Sequence, residues 1–272
     1  GGKSVIIGDP KKIKTDSLMQ AFGRVIERLN GAYITAEDVG TSENDMDQIR
    51  KSTSHVRGQT KLSGDPSPFT ALGTFLGIKA AVQHKLKTSS LKNVRVIVQG
   101  VGNVGGHLCD LLHKEGAKLF LNDVNPHNLL RKAEELGAEV LTVDQVYRQE
   151  TDVYAPCALG ATINDETLRT LKTSIVAGCA NNQLDEERHG DLLKSMGILY
   201  APDYVINAGG LISVAHEVPQ YDKEVVLNKV HKIYDTLVEI FKTADEKNLT
   251  TSNVADNMAR DRFSHSCHQA AE

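Results

Sequence analysis

Tryptophan is absent and aromatics make up only 5% of the 272 residues, so the core has to be mostly aliphatic. The four cysteines, Cys109, Cys157, Cys179 and Cys267, lie far apart, with no CxxC pair and no matching HxxxH. That spacing excludes a disulfide framework and a structural zinc site, and no metal is expected. Free thiols fit the reducing cytoplasm, which is the expected location. No apolar run approaches the ~18 residues a membrane helix requires, and no signal-peptide pattern is present, so no membrane partner is expected. Clustered positive charge is scarce too. The net charge is −4, and the one basic run, Lys11-Lys12-Ile13-Lys14, is short. Binding a nucleic acid would call for clustered Lys and Arg to neutralise phosphates, so that partner class is excluded as well.

What remains is an ordinary globular balance, 40% hydrophobic and 24% charged, long enough for one large domain or two ordinary ones. Ser4–Gly8 reads as a buried strand ended by the turn Gly8-Asp9-Pro10. Thr15 or Asp16 caps a helix whose apolar face is Leu18, Phe22, Val25 and Leu29, closed by Asn30-Gly31. Ala32–Thr35 reads as another strand, leading to Glu37-Asp38 in a loop. Residues 41–66 are polar and mark a crossing between domains; Ser67-Pro68 then opens a long helix. From Val94 onward strands alternate with helices: strands at Val94–Val98, Lys118–Leu121, Glu139–Val143, Asp152–Ala155, Ser174–Ala177 and Ile198–Ala201. Alternation of this kind predicts an α/β fold with a parallel, doubly wound sheet of Rossmann type. Beyond Asn207, Val226, Val230, Ile233, Leu237 and Phe241 form one helical face, and a last helix covers Ser252 to Ser264. The expected organisation is a partial substrate domain at 1–63, part of a second α/β unit; a dinucleotide-binding domain at 64–206; and helices at 207–272 that pack back on the first.

The strongest chemical motif is Gln99-Gly100-Val101-Gly102-Asn103-Val104-Gly105, a GxGxxG loop directly after an apolar strand and directly before a helix. Gly100 permits the tight turn, Gly102 leaves room for a pyrophosphate against the backbone, and Gly105 lets helix and strand pack closely. The anion then lies at a helix N-terminus, where unpaired N–H groups and the dipole favour it. Asp123 closes the next strand, placed to accept hydrogen bonds from ribose hydroxyls and to repel a 2′-phosphate. NAD is therefore expected over NADP. A plain turn-forming Asp is the alternative at this position. Cys109, one turn into the helix, reads as a core residue.

Further segments flank this loop: Gly1–Ile6, Ile34-Thr35-Ala36-Glu37-Asp38-Val39-Gly40, Pro66–Gly73, Ala155-Pro156-Cys157-Ala158-Leu159-Gly160, Ala180-Asn181-Asn182-Gln183-Leu184 and Tyr200–Gly210. In this fixed order, over essentially the whole chain, the series resembles the glutamate/leucine/phenylalanine/valine dehydrogenase family, with leucine dehydrogenases as its nearest branch. The resemblance implies NAD-dependent oxidative deamination of an L-amino acid. It assigns Lys3 as the lysine that activates water, Asp38 as the carboxylate exchanging protons with the substrate nitrogen, and Thr70 as a partner of the nicotinamide carboxamide. Ala158, Asn182 and Asn207 fall near the cofactor and substrate. Ala36, Leu211 and Val214 line the side-chain pocket; all are uncharged, which suits a branched aliphatic substrate and disfavours glutamate. A homo-oligomer is implied as well.

The family pattern also carries a substrate-carboxylate lysine shortly before the catalytic one. That position falls ahead of Gly1, so upstream sequence is expected. Two alternatives stay open: an aromatic L-amino-acid dehydrogenase of the same family, and a non-catalytic NAD-binding fragment or relative.

Overall fold

A computed structural model describes residues 2–38, 40–57, 65–216 and 221–269. In chain order its elements are α1 (Pro10–Ile13), α2 (Asp16–Arg28), α3 (Glu43–Arg50), α4 (Ser67–Leu86), β1 (Arg95–Gln99), α5 (Asn103–Lys114), β2 (Lys118–Asn122), α6 (Pro126–Leu136), β3 (Glu139–Val140), α7 (Val143–Arg148), β4 (Thr151–Pro156), α8 (Asp165–Leu168), β5 (Thr173–Val176), α9 (Arg188–Ser195), β6 (Leu199–Tyr200), α10 (Asp203–Ile206), α11 (Gly209–Ala215), α12 (Lys223–Lys247) and α13 (Thr251–Gln269). They divide into two compact units. One comprises Gly1–Pro66 and Gly210–Leu227, the other Ser67–Gly209 and Asn228–Glu272.

The larger unit is built on one parallel six-stranded sheet in the order β3-β2-β1-β4-β5-β6. The order reverses at β1, and the crevice outside the strand ends there is where this architecture takes ligands. The central strand hides Val96, Ile97 and Val98 on both faces, as a strand covered by helices on both sides must. Among the described residues Tyr154 and Phe241 are the largest fully buried side chains. Expected Glu139–Val143 pairs only as Glu139–Val140. Thr142 and Gln145 then form a capping box that starts α7, which overrides continuation of the strand.

The division between units falls at the start of α4, whereas the boundary expected after residue 63 lies outside the described residues. Of the expected return of 207–272 to the first unit, Gly210–Leu227 group there and Asn228–Glu272 do not. The reason is the apolar face of α12. Val230, Ile233, Leu237 and Phe241 are buried, and α4 presents glycines to them. A Cβ on Gly73 would lie 2.7 Å from Ile233 Cδ1, and one on Gly77 would lie 2.8 Å from Leu237 Cδ1. The His84 ring tilts onto Phe241 at 5.4 Å.

In the smaller unit α2 packs on α3 through Met19, Met46 and Ile49, and Val56 beyond α3 completes the cluster. Thr15 caps α2 as expected, accepting from the Leu18 N–H at 3.2 Å. The expected face holds in part: Leu18 and Phe22 pack against this cluster, but Val25 and Leu29 are 55% and 46% exposed, and Met19, Gly23 and Ile26 are the buried residues. Gly23 explains the difference, because a Cβ there would lie 2.6 Å from the Ile49 carbonyl oxygen; the helices cross at the glycine. The expected strand at 4–8 is extended but unpaired among the described residues, with Val5 81% and Ile7 93% exposed. The expected strand at 32–35 reduces to one bridge, Thr35 to Val56. Apolar composition alone does not make a strand without a ladder partner. The polar stretch 41–66 is more than a crossing, since it contains α3; its residues 58–64 lie outside the described set.

Candidate active site

In the larger unit the glycine loop leaves β1 and opens α5. Gly100 has φ +103°, and a Cβ on it would lie 2.8 Å from the Ala158 nitrogen and from the Cys157 carbonyl. Only glycine meets both demands. At Gly105 a Cβ would fall 1.9 Å from the Gly100 carbonyl oxygen, so α5 is held directly against the strand end. Gly102 differs from both: a Cβ there would meet nothing within 4 Å. No protein group requires this glycine, and it N-caps α5 without a side-chain cap hydrogen bond. The helix N-terminus thus keeps N–H donors and open space together, a cradle that fits a dinucleotide pyrophosphate. Asn103 and Val104 form its first turn, half-buried to exposed.

Asp123 follows β2 and turns back toward the loop. Its Oδ2 accepts from the Val101 N–H and its Oδ1 from the Asn125 N–H, both at 2.7 Å. Each oxygen keeps acceptor capacity for a ribose hydroxyl. The plain turn role and the ribose role are therefore compatible. Cys109 is fully buried behind the loop and its thiol is pushed up by desolvation, which makes it a core residue.

A second group of loops lies at the ends of β4 and β5. Ala158 is exposed beside Gly100. Asn207, which ends α10, donates from Nδ2 to Asn181 Oδ1 at 2.6 Å and to the Cys179 carbonyl at 3.2 Å. The side chain brought to Asn207 is thus Asn181, which sequence reasoning passed over in favour of its neighbour. Asn182 is exposed in a left-handed conformation, φ 51°, with its carbonyl accepting from the Ala161 N–H at 2.7 Å. Thr70 lies in the first turn of α4. Gly209 presses against that turn so closely that a Cβ would lie 2.0 Å from the Phe69 carbonyl oxygen.

In the smaller unit Lys3 Nζ and Asp38 Oδ2 form an ion pair, both side chains largely exposed. Asp38 is held by Thr41: its N–H donates to Thr41 Oγ1 at 2.9 Å, and the same hydroxyl donates to the Asp38 carbonyl at 2.7 Å. Gly2, before the lysine, lies close to the Tyr33 ring: a Cβ there would lie 3.1 Å from Cδ2. Ala36 is half-buried, Val214 buried and Leu211 73% exposed. Beside Asp38, Glu37 was not singled out from sequence. Burial, then the charges of Asp65, Glu43 and Asp45, push its carboxyl up to about 7 against the pull of Lys14, and Oε2 is buried without a hydrogen-bond partner among the described residues. Asp45 behaves oppositely. Burial raises it, but hydrogen bonds from Lys14 and Ser42 outweigh that and hold it below the usual range. No composition or spacing signal separates Glu37 from an ordinary loop carboxylate, whereas Asp45 stands at the capping-box spacing from Ser42.

Comparison with known proteins adds the deciding observation. The family model for glutamate/leucine/phenylalanine/valine dehydrogenase matches residues 64–125 and 121–266, and the model for its dimerisation domain matches residues 1–55. The chain belongs to the Glu/Leu/Phe/Val dehydrogenase family. As such it is an amino-acid dehydrogenase, an oxidoreductase acting on a CH–NH2 group. It is 50% identical to leucine dehydrogenase of Bacillus cereus over 266 residues, 97% of this chain and 73% of that protein. It is 46% identical to L-tryptophan dehydrogenase of Nostoc punctiforme over 267 residues, 98% of this chain and 75% of that one. The crystal structure of the Nostoc punctiforme L-tryptophan dehydrogenase superposes with a TM-score of 0.82 at 44% identity, covering 97% of this chain and 76% of that one. Among the described residues of this dehydrogenase, no helix is long and apolar enough to cross a membrane, and no cluster of His, Cys, Asp and Glu is arranged to hold a metal ion.

Proposed function

We propose that this dehydrogenase oxidatively deaminates a branched-chain L-amino acid of leucine type, with NAD, to the 2-oxo acid, ammonia and NADH. The observation that carries the reading is the ion pair between Lys3 and Asp38, a proton donor and a proton acceptor joined in one unit. Gly100, Val101, Gly102, Asn103, Val104 and Gly105 hold the pyrophosphate and Asp123 the adenosine ribose. Thr70, Ala158, Asn182 and Asn207 serve the nicotinamide end. When bound, the oxidised nicotinamide supplies the hydride acceptor for the substrate α-carbon.

The chain's own residues manage protons. Asp38 takes a proton from the substrate ammonium and later returns one to the departing nitrogen. Lys3, once deprotonated, removes a proton from the water that attacks the imino carbon. Joined as they are, the two groups are placed to exchange that proton directly. Ala36, Leu211 and Val214 offer the substrate side chain apolar surface and no charge, which supports an aliphatic substrate and leaves a glutamate carboxylate unpaired. Similarity to the Nostoc punctiforme L-tryptophan dehydrogenase supports a second reading, an aromatic substrate on the same machinery. The match of residues 1–55 to a dimerisation domain supports a homo-oligomer.

Lys3→Ala tests the assignment. Turnover should fall at least about a hundredfold while NADH binding, followed by fluorescence, is retained. Turnover equal to the parent would remove Lys3 from the mechanism.

A further inference from the structure

The geometry points to Gln183 as a positioning residue that braces three loops of the candidate site at once and fixes the Asn181–Asn207 amide pair. The inference rests on the reading of those loops as the nicotinamide and substrate end.

Gln183 is fully buried, and nearly every polar group it carries is committed to a different loop. Its side-chain Nε2 donates to the Gly178 carbonyl at 2.7 Å and the Ala180 carbonyl at 3.0 Å, closing the turn that contains Cys179 and Asn181. Its N–H donates to Asp203 Oδ2 at 2.8 Å, at the start of α10, the helix that ends in Asn207. Its carbonyl accepts from the Ile163 N–H at 2.9 Å, tying in the loop that begins at Ala158. The adjacent bond from the Ala161 N–H to the Asn182 carbonyl and the close approach of Gly160 reinforce the same junction; a Cβ on Gly160 would lie 2.5 Å from the Asn181 carbonyl oxygen.

The consequence is directional. Asn207 Nδ2 spends its hydrogens on Asn181 Oδ1 and the Cys179 carbonyl. Asn181 Nδ2 is then left as a donor and Asn207 Oδ1 as an acceptor. That polarity holds only while the 178–183 turn and α10 keep their spacing, and Gln183 sets the spacing. Its remaining group, Oε1, is buried with no hydrogen-bond partner among the described residues. Burying an unpaired amide oxygen costs stability. Retaining it here fits a residue whose donors are needed, because an apolar side chain would fill the volume at no such cost. Gln183 touches neither substrate nor cofactor in this account and acts through Asn181 and Asn207.

Gln183→Met keeps the volume and removes the donors. Its kcat/KM for the amino acid should fall about tenfold or more, since a misplaced polar pair loses orientation, whereas NADH affinity, governed by the glycine loop, should stay within about threefold. In an Asn207→Ala background the same substitution should cost less than about twofold, because both changes act on one unit. Asp203→Ala, on the half-buried partner of the Gln183 N–H, should reproduce the loss in kcat/KM and serves if Gln183→Met does not fold. A lowered melting temperature with unchanged kcat/KM in Gln183→Met and Asp203→Ala would overturn the proposal and leave Gln183 merely structural. Full additivity with Asn207→Ala would overturn it too. If Asn207→Ala alone leaves catalysis unchanged, the reading of the site fails, and that outcome is distinct from both.

Discussion

Four residues show how far side-chain chemistry was legible. Lys3 and Asp38 carry no signal as individual residues; the motif around each picked them out, and the structure pairs them. Asp123 was legible through its place after β2, but its grip on the Val101 N–H was not, since a hydrogen bond across a turn has no spacing signature. Glu37 was illegible because its behaviour comes from burial and from Asp65, Glu43 and Asp45 gathered around it. A carboxyl whose folded pKa of about 7 exceeds its ordinary 4.5 binds more protons folded than unfolded, so stability falls as pH rises between those values. Glu37→Gln removes that loss. In urea titrations its stability relative to the parent should grow by about 1–2 kcal/mol from pH 4.5 to pH 8, allowing for solvent screening. A difference independent of pH would show that Glu37 keeps an ordinary carboxyl. The glycines separate fold from function just as sharply. Gly102→Ala should leave melting unchanged and weaken NADH at least about tenfold, because only a ligand needs that space. Gly105→Ala, whose methyl meets the Gly100 carbonyl, should cost about 1–3 kcal/mol in stability. Equal destabilisation by the two would refute the cradle.

Elements were read well where a period was long and tertiary context agreed. The parallel strands and the α12 face from Val226 to Phe241 were legible because a fully buried strand and a five-contact helical stripe leave little choice. Two short elements were not. The Ser4–Gly8 run has strand composition and no partner, and α7 arises from a four-residue capping box. Of the expected α2 face Leu18 and Phe22 pack inward and Val25 and Leu29 do not, because Gly23 counts as nothing in an apolar period yet brings its backbone against Ile49. The observed face makes a direct prediction. Ile26→Ala should cost about 2–5 kcal/mol by denaturant unfolding, whereas Val25→Ser should stay within about 0.5 kcal/mol. The reverse ranking would restore the face expected from sequence.

At the scale of the whole chain, the two compact units divide the labour: one carries the glycine cradle and the amide-bearing loops, the other Lys3, Asp38 and the apolar residues assigned to the substrate. The order of motifs revealed the family before any coordinate was needed. Domain membership beyond Leu227 was not legible, because a helix face records that it is buried and not what buries it. In the proposed reading, substrate choice hangs on three residues: Ala36, Leu211 and Val214. Initial rates of NADH formation with L-leucine, L-valine, L-phenylalanine, L-tryptophan and L-glutamate, each extrapolated to kcat/KM at one NAD concentration, test it most directly. Leucine should lead both aromatic substrates by about tenfold or more, with glutamate lowest. A higher kcat/KM for phenylalanine or tryptophan than for leucine would contradict it.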